Sequence, residues 1–253
     1  MGILKKYRVR ILAIVVWLCI WQGFSWYVGN EILIASPMDV LLALFELLQD
    51  RGFYLSIIHS VAKIAFGFLL AVVIGILLAL CSSVTVFLSE MIAILIRLIK
   101  SIPVASFVIL TLLWVRSQNL SIIISFFMVL PIIYLNVLNG IQHTDIKLLE
   151  MAKVFNLSFL RKMRYIYLPA VMPYFTAACS ASLGLCWKAG IAAEVIGLPI
   201  NSIGEKLYEA KLYLMTKELF AWTIVIVFIS IVFEKFIMAI IRKIEQYILN
   251  GFL

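Results

Sequence analysis

Several features that define common classes of protein are missing from this sequence. None of its 12 glycines is followed by lysine, so the chain has no G-x-x-x-x-G-K-[ST] phosphate-binding loop. The four cysteines show no C-x-x-C spacing and lie in apolar stretches, where a small buried thiol is the expected role. The two histidines, His59 and His143, fall near opposite faces of the predicted membrane and cannot pair as haem ligands. We therefore expect no catalytic residues, no metal site and no cofactor.

Charged residues are also scarce, at 13% of the 253 residues, whereas 65% of the chain is apolar. A soluble protein averages roughly 45–50% apolar residues, and such an excess would leave a soluble fold with an apolar surface. The composition predicts an all-α integral membrane protein. Because no A-x-A-like cleavage site follows the first apolar run, we expect that run to remain as a spanning helix.

The apolar stretches are long enough to cross a bilayer several times. A spanning helix needs about 20 mostly apolar residues. Four stretches have between 18 and 28 uncharged residues in a row, and two further candidates contain a few charges. Between the first two, Pro37 is expected to start a short amphipathic helix lying on the membrane surface. The chain is predicted to be a single transmembrane domain, residues 1–253, with helices at about 11–28, 54–81, 91–115, 118–139, 166–190 and 216–240.

The net charge of +8 is distributed unevenly between the predicted loops. With the N-terminus inside, the internal segments hold eleven lysines and arginines and the external ones five. This bias fits the positive-inside rule with both termini cytoplasmic, and it needs no nucleic acid to explain it. The eleven internal residues are Lys5, Lys6, Arg8, Arg10, Lys147, Lys153, Arg161, Lys162, Arg164, Arg242 and Lys243.

Two predicted helices carry polar residues at membrane depth. On the second, a stripe of polar and small residues contains Lys63, which either faces a functional path or extends to the membrane interface. On the fifth, small residues recur every four positions, which favours close helix packing, and Lys188 is a candidate for a site or gate. The candidate residues of a translocation path are Ser60, Lys63, Gly67, Ser180, Gly184, Lys188 and Glu194.

The longest internal loop, residues 144–165, is predicted to form two short helices. Thr144 is expected to cap the first, whose apolar face contains Leu148, Leu149, Ala152 and Phe155. Asn156 is expected to end that helix in a left-handed conformation, and Ser158 to cap the next. A short amphipathic helix held between two spans suits docking to a partner, although an ordered loop with a basic flank remains an alternative.

This loop resembles the EAA loop of ABC importer permeases, in which E-A-A is followed by a glycine and later by Leu-Pro. Here the pattern reads Glu150-Met151-Ala152, Asn156 and Leu168-Pro169, with Met for one Ala and Asn for Gly. Five further segments resemble the nitrate/sulfonate/taurine/bicarbonate group of these permeases, in the same order along the chain. They are residues 33–40, Ser60-x-x-Lys63-x-x-x-Gly67, Ile102-Pro103-Val104-Ala105, Leu112-Leu113-Trp114, and Trp187-Lys188 with residues 192–197.

The resemblance implies a type I ABC importer permease fold (MetI-like) in a bacterial cytoplasmic membrane. It implies a homodimer of two permease copies, together with two cytoplasmic ABC ATPases and an extracytoplasmic substrate-binding protein. The residues that would couple to the ATPase are Glu150, Ala152, Lys153, Phe155, Asn156, Leu168 and Pro169. Substrate would pass between the two copies.

The transported solute is left open by the sequence. The resembling group carries oxyanions, which Lys63 and Lys188 would suit, while relatives carry thiamine-precursor-like organic molecules. A secondary transporter would predict buried charges in several helices or helices broken at the midplane, and the lack of an inverted repeat argues against it. A membrane-embedded enzyme would need convergent acid, base or metal-binding residues. The EAA-like loop distinguishes an ABC importer permease from both of these alternatives.

Overall fold

The computed structural model describes the backbone of residues 2–250 and the side chains of residues 8, 9 and 11–248. The side chains of Lys5, Lys6 and Arg10, counted above as internal, lie outside the described residues. The described chain is helical, with a 3-10 turn at Ser117–Asn119 and a π turn at Met163–Tyr167. The α-helices are α1 (Gly2–Val28), α2 (Pro37–Leu47), α3 (Arg51–Ser82), α4 (Val86–Ser101), α5 (Val104–Thr111), α6 (Leu120–Gln142), α7 (Ile146–Val154), α8 (Phe159–Lys162), α9 (Leu168–Gly197), α10 (Ile203–Leu212) and α11 (Thr216–Asn250).

The centre of the molecule is formed by α3, α6 and α9, which pack closely because glycines allow their backbones to approach. A Cβ atom on Gly67 of α3 would overlap the backbone carbonyl of Ile122 on α6. A Cβ atom on Gly190 of α9 would lie 2.6 Å from the side chain of Ile64 on α3. Small residues at such positions are typical of helix contacts within membranes.

The contacts also give the directions of the helices. Lys63 and Gly67 on α3 lie beside Gln118 and Ile122 at the start of α6, so these two helices are parallel. The rings of Trp187 and Phe233 are 5.8 Å apart, and Thr176 bonds to Glu245, so α9 and α11 are antiparallel. The segment between α6 and α9 therefore lies at one end of the bundle, which we call the loop end. The helices α2 and α10 lie at the opposite end.

Five helices are long and apolar enough to cross a membrane, and a sixth crossing is formed if α4 and α5 count as one broken span. The axes of α4 and α5 are bent by 102° relative to each other. The prediction of a single helix at 91–115 is therefore wrong, because this segment forms two helices. Ile102 is extended, with ψ of 126°, as expected for a residue that precedes a proline. Since α3 and α6 run parallel, this broken pair has to carry the chain back across the bundle.

The short helix α2 begins at Pro37, as the sequence predicts. The hydroxyl of Ser36 accepts a hydrogen bond from the Asp39 amide at 3.2 Å, which caps the helix. Its buried Val40 and Ala43 pack near Ala221 of α11, while Met38 and Phe45 remain exposed. Whether α2 rests on the membrane surface stays a prediction.

Candidate functional sites

The loop-end segment begins with a cap that differs by one residue from the predicted one. Asp145, not Thr144, is the N-cap of α7, and its carboxylate accepts a hydrogen bond from the Lys147 amide at 2.9 Å. Thr144 is buried and its hydroxyl donates to the carbonyl of Gly140 at 3.3 Å. In the turn between α6 and α7, Thr144 therefore bonds back to α6, whereas Asp145 caps the start of α7.

The end of α7 is a Schellman motif centred on Asn156, which has φ of 48°. The amide of Leu157 donates to the carbonyl of Ala152 at 2.9 Å, and the Asn156 amide donates to that of Lys153 at 3.1 Å. The predicted left-handed Asn156 is thus confirmed. Both hydrogen bonds satisfy carbonyls that the helix end would otherwise leave unpaired, so the direction of the chain after α7 is closely defined.

Beyond this stop, the chain enters one continuous helical rod. Ser158 precedes α8 as predicted, although its hydroxyl makes no capping hydrogen bond. Helical geometry continues from Phe159 to Gly197 over 39 residues, through the π turn. That turn ends next to Leu168 and Pro169, where the proline ring cannot donate to the carbonyl four residues earlier. The rod links the loop end directly to the far end of α9.

The surface of this segment is apolar and open to solvent. Ala152 is fully buried and Leu149 is half-buried, so these residues form the inner face of α7. Phe155, which the sequence assigns to the same face, is instead 70% exposed. The reason is that Phe155 is the C-cap residue, where the helical turn ends. Further apolar side chains are exposed nearby, namely Ile146, Val154, Phe159 and Leu160.

The charged residues of α7 are exposed as well. Glu150 and Lys153 face solvent, and no ion pair among the described side chains joins Glu150 to Lys147 or Lys153. Among the described side chains, Glu150 is therefore an exposed carboxylate without an ion pair.

A second group of predicted residues meets at the end of the bundle that carries α10. Ser60 is fully buried, and its hydroxyl donates to Oε2 of Glu194 at 2.6 Å. The same hydroxyl accepts from the Ile203 amide at 3.0 Å, and the Gly204 amide donates to Glu194 at 3.4 Å. We call this contact of α3, α9 and the start of α10 the far-end junction. Its carboxyl group occupies the positive end of the α10 dipole, where negative charge is favoured.

The part played by α10 in this junction is not predicted by the sequence analysis. A signal for it exists in Ser202-Ile203-Gly204-Glu205, which has the S-x-x-E pattern of a helix start. The Ser202 hydroxyl accepts from the Glu205 amide at 3.0 Å and caps α10. The pattern could locate the helix start, but not its contact with Ser60, which is 143 residues away in the chain.

Lys63 lies just beside the far-end junction. Its ammonium group donates to the side chain of Gln118 at 3.1 Å. A cavity of about 440 Å³ opens there, lined by His59, Lys63, Gln118, Ile200 and Asn201. The structure thus brings Ser60, Lys63 and Glu194 together, while Gly67 lies deeper in the contact between α3 and α6.

The other candidate residues of α9, which are Ser180, Gly184 and Lys188, lie apart from this junction on an outward face. Ser180 and Lys188 are exposed, and Gly184 has open space where a Cβ atom would be. Lys188 has no hydrogen bond or ion pair with any described side chain. Thr176, at the loop-end part of the stripe, bonds to Glu245 of α11 at 3.0 Å instead. In a single copy of the chain, no described residue of another helix lies within 4 Å of a Cβ atom placed on Gly184.

A second cavity, of about 430 Å³, lies between α2 and the turn before α11. Its lining is acidic, with Glu31, Asp39, Glu46 and Glu218 around Lys217. The hydrogen bond from the Ser36 hydroxyl, with the nearby charge of Lys217, keeps the pKa of Asp39 below its ordinary value. Lys217 also contacts Glu31 at 2.9 Å, so the ion pairs tie the loop after α1 to α11.

Comparison with known proteins identifies the class to which these features belong. Residues 71–249 match the family model of the binding-protein-dependent transport system inner membrane component. A Bacillus subtilis protein named as an aliphatic sulfonates transport permease, SsuC, is 23% identical over 91% of this chain and 84% of its own. The bicarbonate transport system permease CmpB of Synechococcus elongatus is 26% identical over 82% and 81%. The nitrate import permease NrtB of Leptolyngbya laminosa is 26% identical over 73% and 69%.

A crystal structure of an amino acid ABC transporter with histidines shares the fold. The TM-score is 0.56 at 18% identity, over 75% of this chain and 91% of the other. The molecule is thus a multi-pass membrane permease of the ABC transport class. The chain belongs to the family of binding-protein-dependent transport system inner membrane components, and it is the permease subunit of an ABC importer.

Proposed function

We propose that residues 145–169 form the docking site of a cytoplasmic ABC ATPase on this permease. Membership of the family implies ATPase and binding-protein partners in general. We further propose that two copies of the chain assemble with two ATPases and one extracytoplasmic binding protein. ATP is then hydrolysed in the ATPase subunits, and solute passes between the permease copies.

The observation that supports this most directly is the stiff connection from α7 into α9. The hydrogen bonds at Asn156 leave a joint of only a few residues between α7 and the rod that begins at Phe159. Lys188 lies 20 residues beyond Leu168, which is about 30 Å along a helix. Movement of a partner docked at α7 would therefore be transmitted to the part of α9 that carries Lys188 and Glu194.

The chemistry of the loop-end surface fits a protein partner. Contiguous patches of exposed apolar side chains mark interaction sites, and aromatic side chains dominate many interfaces. Phe155 and Phe159 are 70% and 73% exposed, next to exposed Glu150. These side chains offer both an apolar anchor and a charge for a docked ATPase.

The distribution of basic residues supports placing the loop end in the cytoplasm. The C-terminal part of α11 reaches the same end, because α11 is antiparallel to α9. Six crossings, with α4 and α5 as one, would put both termini on that side. The described basic residues at the loop end are Lys147, Lys153, Arg161, Lys162, Arg164, Arg242 and Lys243.

We propose that the solute is a small oxyanion, such as nitrate, a sulfonate, taurine or bicarbonate. The named relatives carry sulfonates, bicarbonate and nitrate. The lysines noted above suit negative charge. Lys63 lines a cavity without any carboxylate in its lining, and Lys188 is exposed, with no ion pair among the described side chains.

Docking is tested with two variants of the same residue type at opposite ends of the molecule. Phe155→Ala removes a 70% exposed ring from the loop end, and Phe45→Ala removes a 63% exposed ring from α2. Burial of a phenylalanine contributes about 1.5–3 kcal/mol, so Phe155→Ala should weaken association with the co-expressed cognate ATPase by roughly tenfold or more. Phe45→Ala should leave it unchanged. Equal affinity of both variants would contradict the docking assignment.

Sidedness is tested by labelling intact cells with a membrane-impermeant thiol reagent. Val154→Cys and Tyr213→Cys place a thiol at exposed positions of the loop end and of the turn after α10. We expect label on Tyr213→Cys only, with the unsubstituted chain as the background for exposed Cys19 and Cys81. Label on Val154→Cys alone would put the segment outside the cell and refute the proposal.

A further inference from the structure

The helix α4 has three distinct faces, one of which is charged. Its buried face consists of Ile92, Ile96 and Ile99. A second face is apolar and exposed, with Leu95 at 50% and Leu98 at 57%. The third runs between these two and consists of Ser89, Glu90, Ala93, Arg97, Lys100 and Ser101, of which Glu90, Arg97, Lys100 and Ser101 are exposed. We call this third face the polar face of α4.

The charges on this face lie deep in the span. Arg97 is 11 residues beyond Val86, or about 16 Å along the helix, in a hydrocarbon layer about 30 Å thick. A lysine or arginine that faces lipid at this depth costs about 2.5–3.5 kcal/mol on insertion scales. Among the described side chains, an ion pair at 3.5 Å joins Arg97 to Glu90, and it can offset this cost for Arg97 alone. Lys100 has no partner among the described side chains.

A third cation lies at a similar depth on α9. Gly190 packs against Ile64, which places Lys188 level with about residue 66 of α3. The helix α4 begins at Val86, four residues after α3 ends at Ser82, so counting back along α3 as for an antiparallel pair puts Lys100 level with about residue 68. The two lysines are thus within roughly one helical turn in depth. Both are exposed, and the carboxyl group of Glu194 does not balance them, because it is buried in the far-end junction.

We infer that the polar face of α4, together with Lys188, borders a water-filled conduit and favours small anions within it. The inference rests on the proposed function, because the conduit would lie between two copies of the chain. Two copies would bring together two each of Arg97, Lys100 and Lys188. Cations that line a confined aqueous path lower the energy of an anion at the depth where the bilayer would otherwise oppose it.

The test compares two cysteine variants of α4 in the assembled complex. Ala93→Cys lies on the polar face one turn from Arg97, and Leu95→Cys lies two residues further on, towards the exposed apolar face. The probes are methanethiosulfonates bearing a sulfonate or a trimethylammonium group, and the unsubstituted chain gives the background of Cys19 and Cys81. If this face borders a conduit, Ala93→Cys reacts. The ratio of its rate with the sulfonate reagent to its rate with the trimethylammonium reagent is then about tenfold or more above the same ratio for a free thiol. Leu95→Cys stays unreactive, since a thiolate does not form in hydrocarbon.

Adding Arg97→Gln or Lys100→Gln to Ala93→Cys should lower this ratio of rates at least threefold, towards its value for a free thiol. The inference is overturned if Ala93→Cys is as unreactive as Leu95→Cys, which would mean that the cations extend to the interface from a lipid-facing helix. It is equally overturned if both reagents react at their free-thiol ratio. Failure of the proposed function would give a different result. The unsubstituted chain would then not bind the ATPase, whatever the outcome of the labelling.

Discussion

The far-end junction allows a sharp test of how one buried hydroxyl holds three helices together. Ser60 and Ser56 are one turn apart on α3, and both are at most 1% exposed. The Ser60 hydroxyl bonds to Glu194 and to the Ile203 amide, whereas the Ser56 hydroxyl has no hydrogen-bond partner among the described residues. Replacing each serine with alanine removes the same single atom from the same helix, so the two variants are closely matched.

The expected difference follows from the hydrogen bonds that each change removes. A bond to a carboxylate contributes about 1.5–3 kcal/mol and a neutral one about 0.5–1.5 kcal/mol. Ser60→Ala leaves the Ile203 amide without this partner, and Glu194 loses its 2.6 Å bond while keeping the longer one from Gly204 at 3.4 Å. We therefore expect Ser60→Ala to lower the free energy of unfolding by about 2–4 kcal/mol. Ser56→Ala should be neutral or slightly stabilising, because it removes an unsatisfied buried polar atom.

The measurement is thermal unfolding of the detergent-solubilised protein, followed by tryptophan fluorescence. For a chain of this size, about 1 kcal/mol corresponds to roughly 2–4 °C, so Ser60→Ala should lower Tm by about 5–15 °C. Ser56→Ala should stay within about 2 °C of the unsubstituted protein. If the two variants shift Tm equally, the junction does not stabilise the fold through the Ser60 hydroxyl.

Three further outcomes are expected. Asn156→Val should lower the free energy of unfolding by about 1–2 kcal/mol and weaken ATPase co-purification, because a β-branched residue resists φ of 48°. Asn156→Gly should retain the stability and the co-purification of the unsubstituted chain. Equal behaviour of the two variants would count against the Schellman motif. Gly67→Ala should reduce the yield of folded protein, because its Cβ meets the Ile122 carbonyl, whereas Gly184→Ala has open space and should not; the gel-filtration profile distinguishes them. Glu150→Ala should lower solute uptake per ATP hydrolysed at normal expression, and unchanged uptake in proteoliposomes would exclude a coupling role for this carboxylate.

Local features of the fold could be predicted from the sequence because their causes lie within a few residues. The uncharged run at 64–89 identifies a spanning segment by length alone. Pro37 and Asn156 mark a helix start and a helix end, since each has a backbone conformation that its residue type favours. The cap of α7 was misplaced by one residue, because Thr144 and Asp145 are both good caps and their order depends on how α6 ends.

The candidate path was predicted less well, since polar residues in a span can face either a neighbour or a conduit. Glu194 was grouped with Lys188, yet its carboxyl group bonds to Ser60, 134 residues earlier in the chain. In the sequence, Arg97 and Lys100 are visible only as charges within the third predicted span. Helical periodicity assigns residues to a face, but it does not say which helix that face contacts.

The sequence by itself determined that the chain is a bundle of membrane-spanning helices, and it located the amphipathic segment between α6 and α9. These conclusions depend on transfer free energies and local backbone preferences, which act residue by residue. Only the tertiary structure decided that α4 and α5 are bent by 102° and that Ser60, Glu194 and the start of α10 form one junction. Such contacts depend on how distant helices pack, and neither periodicity nor composition carries that information.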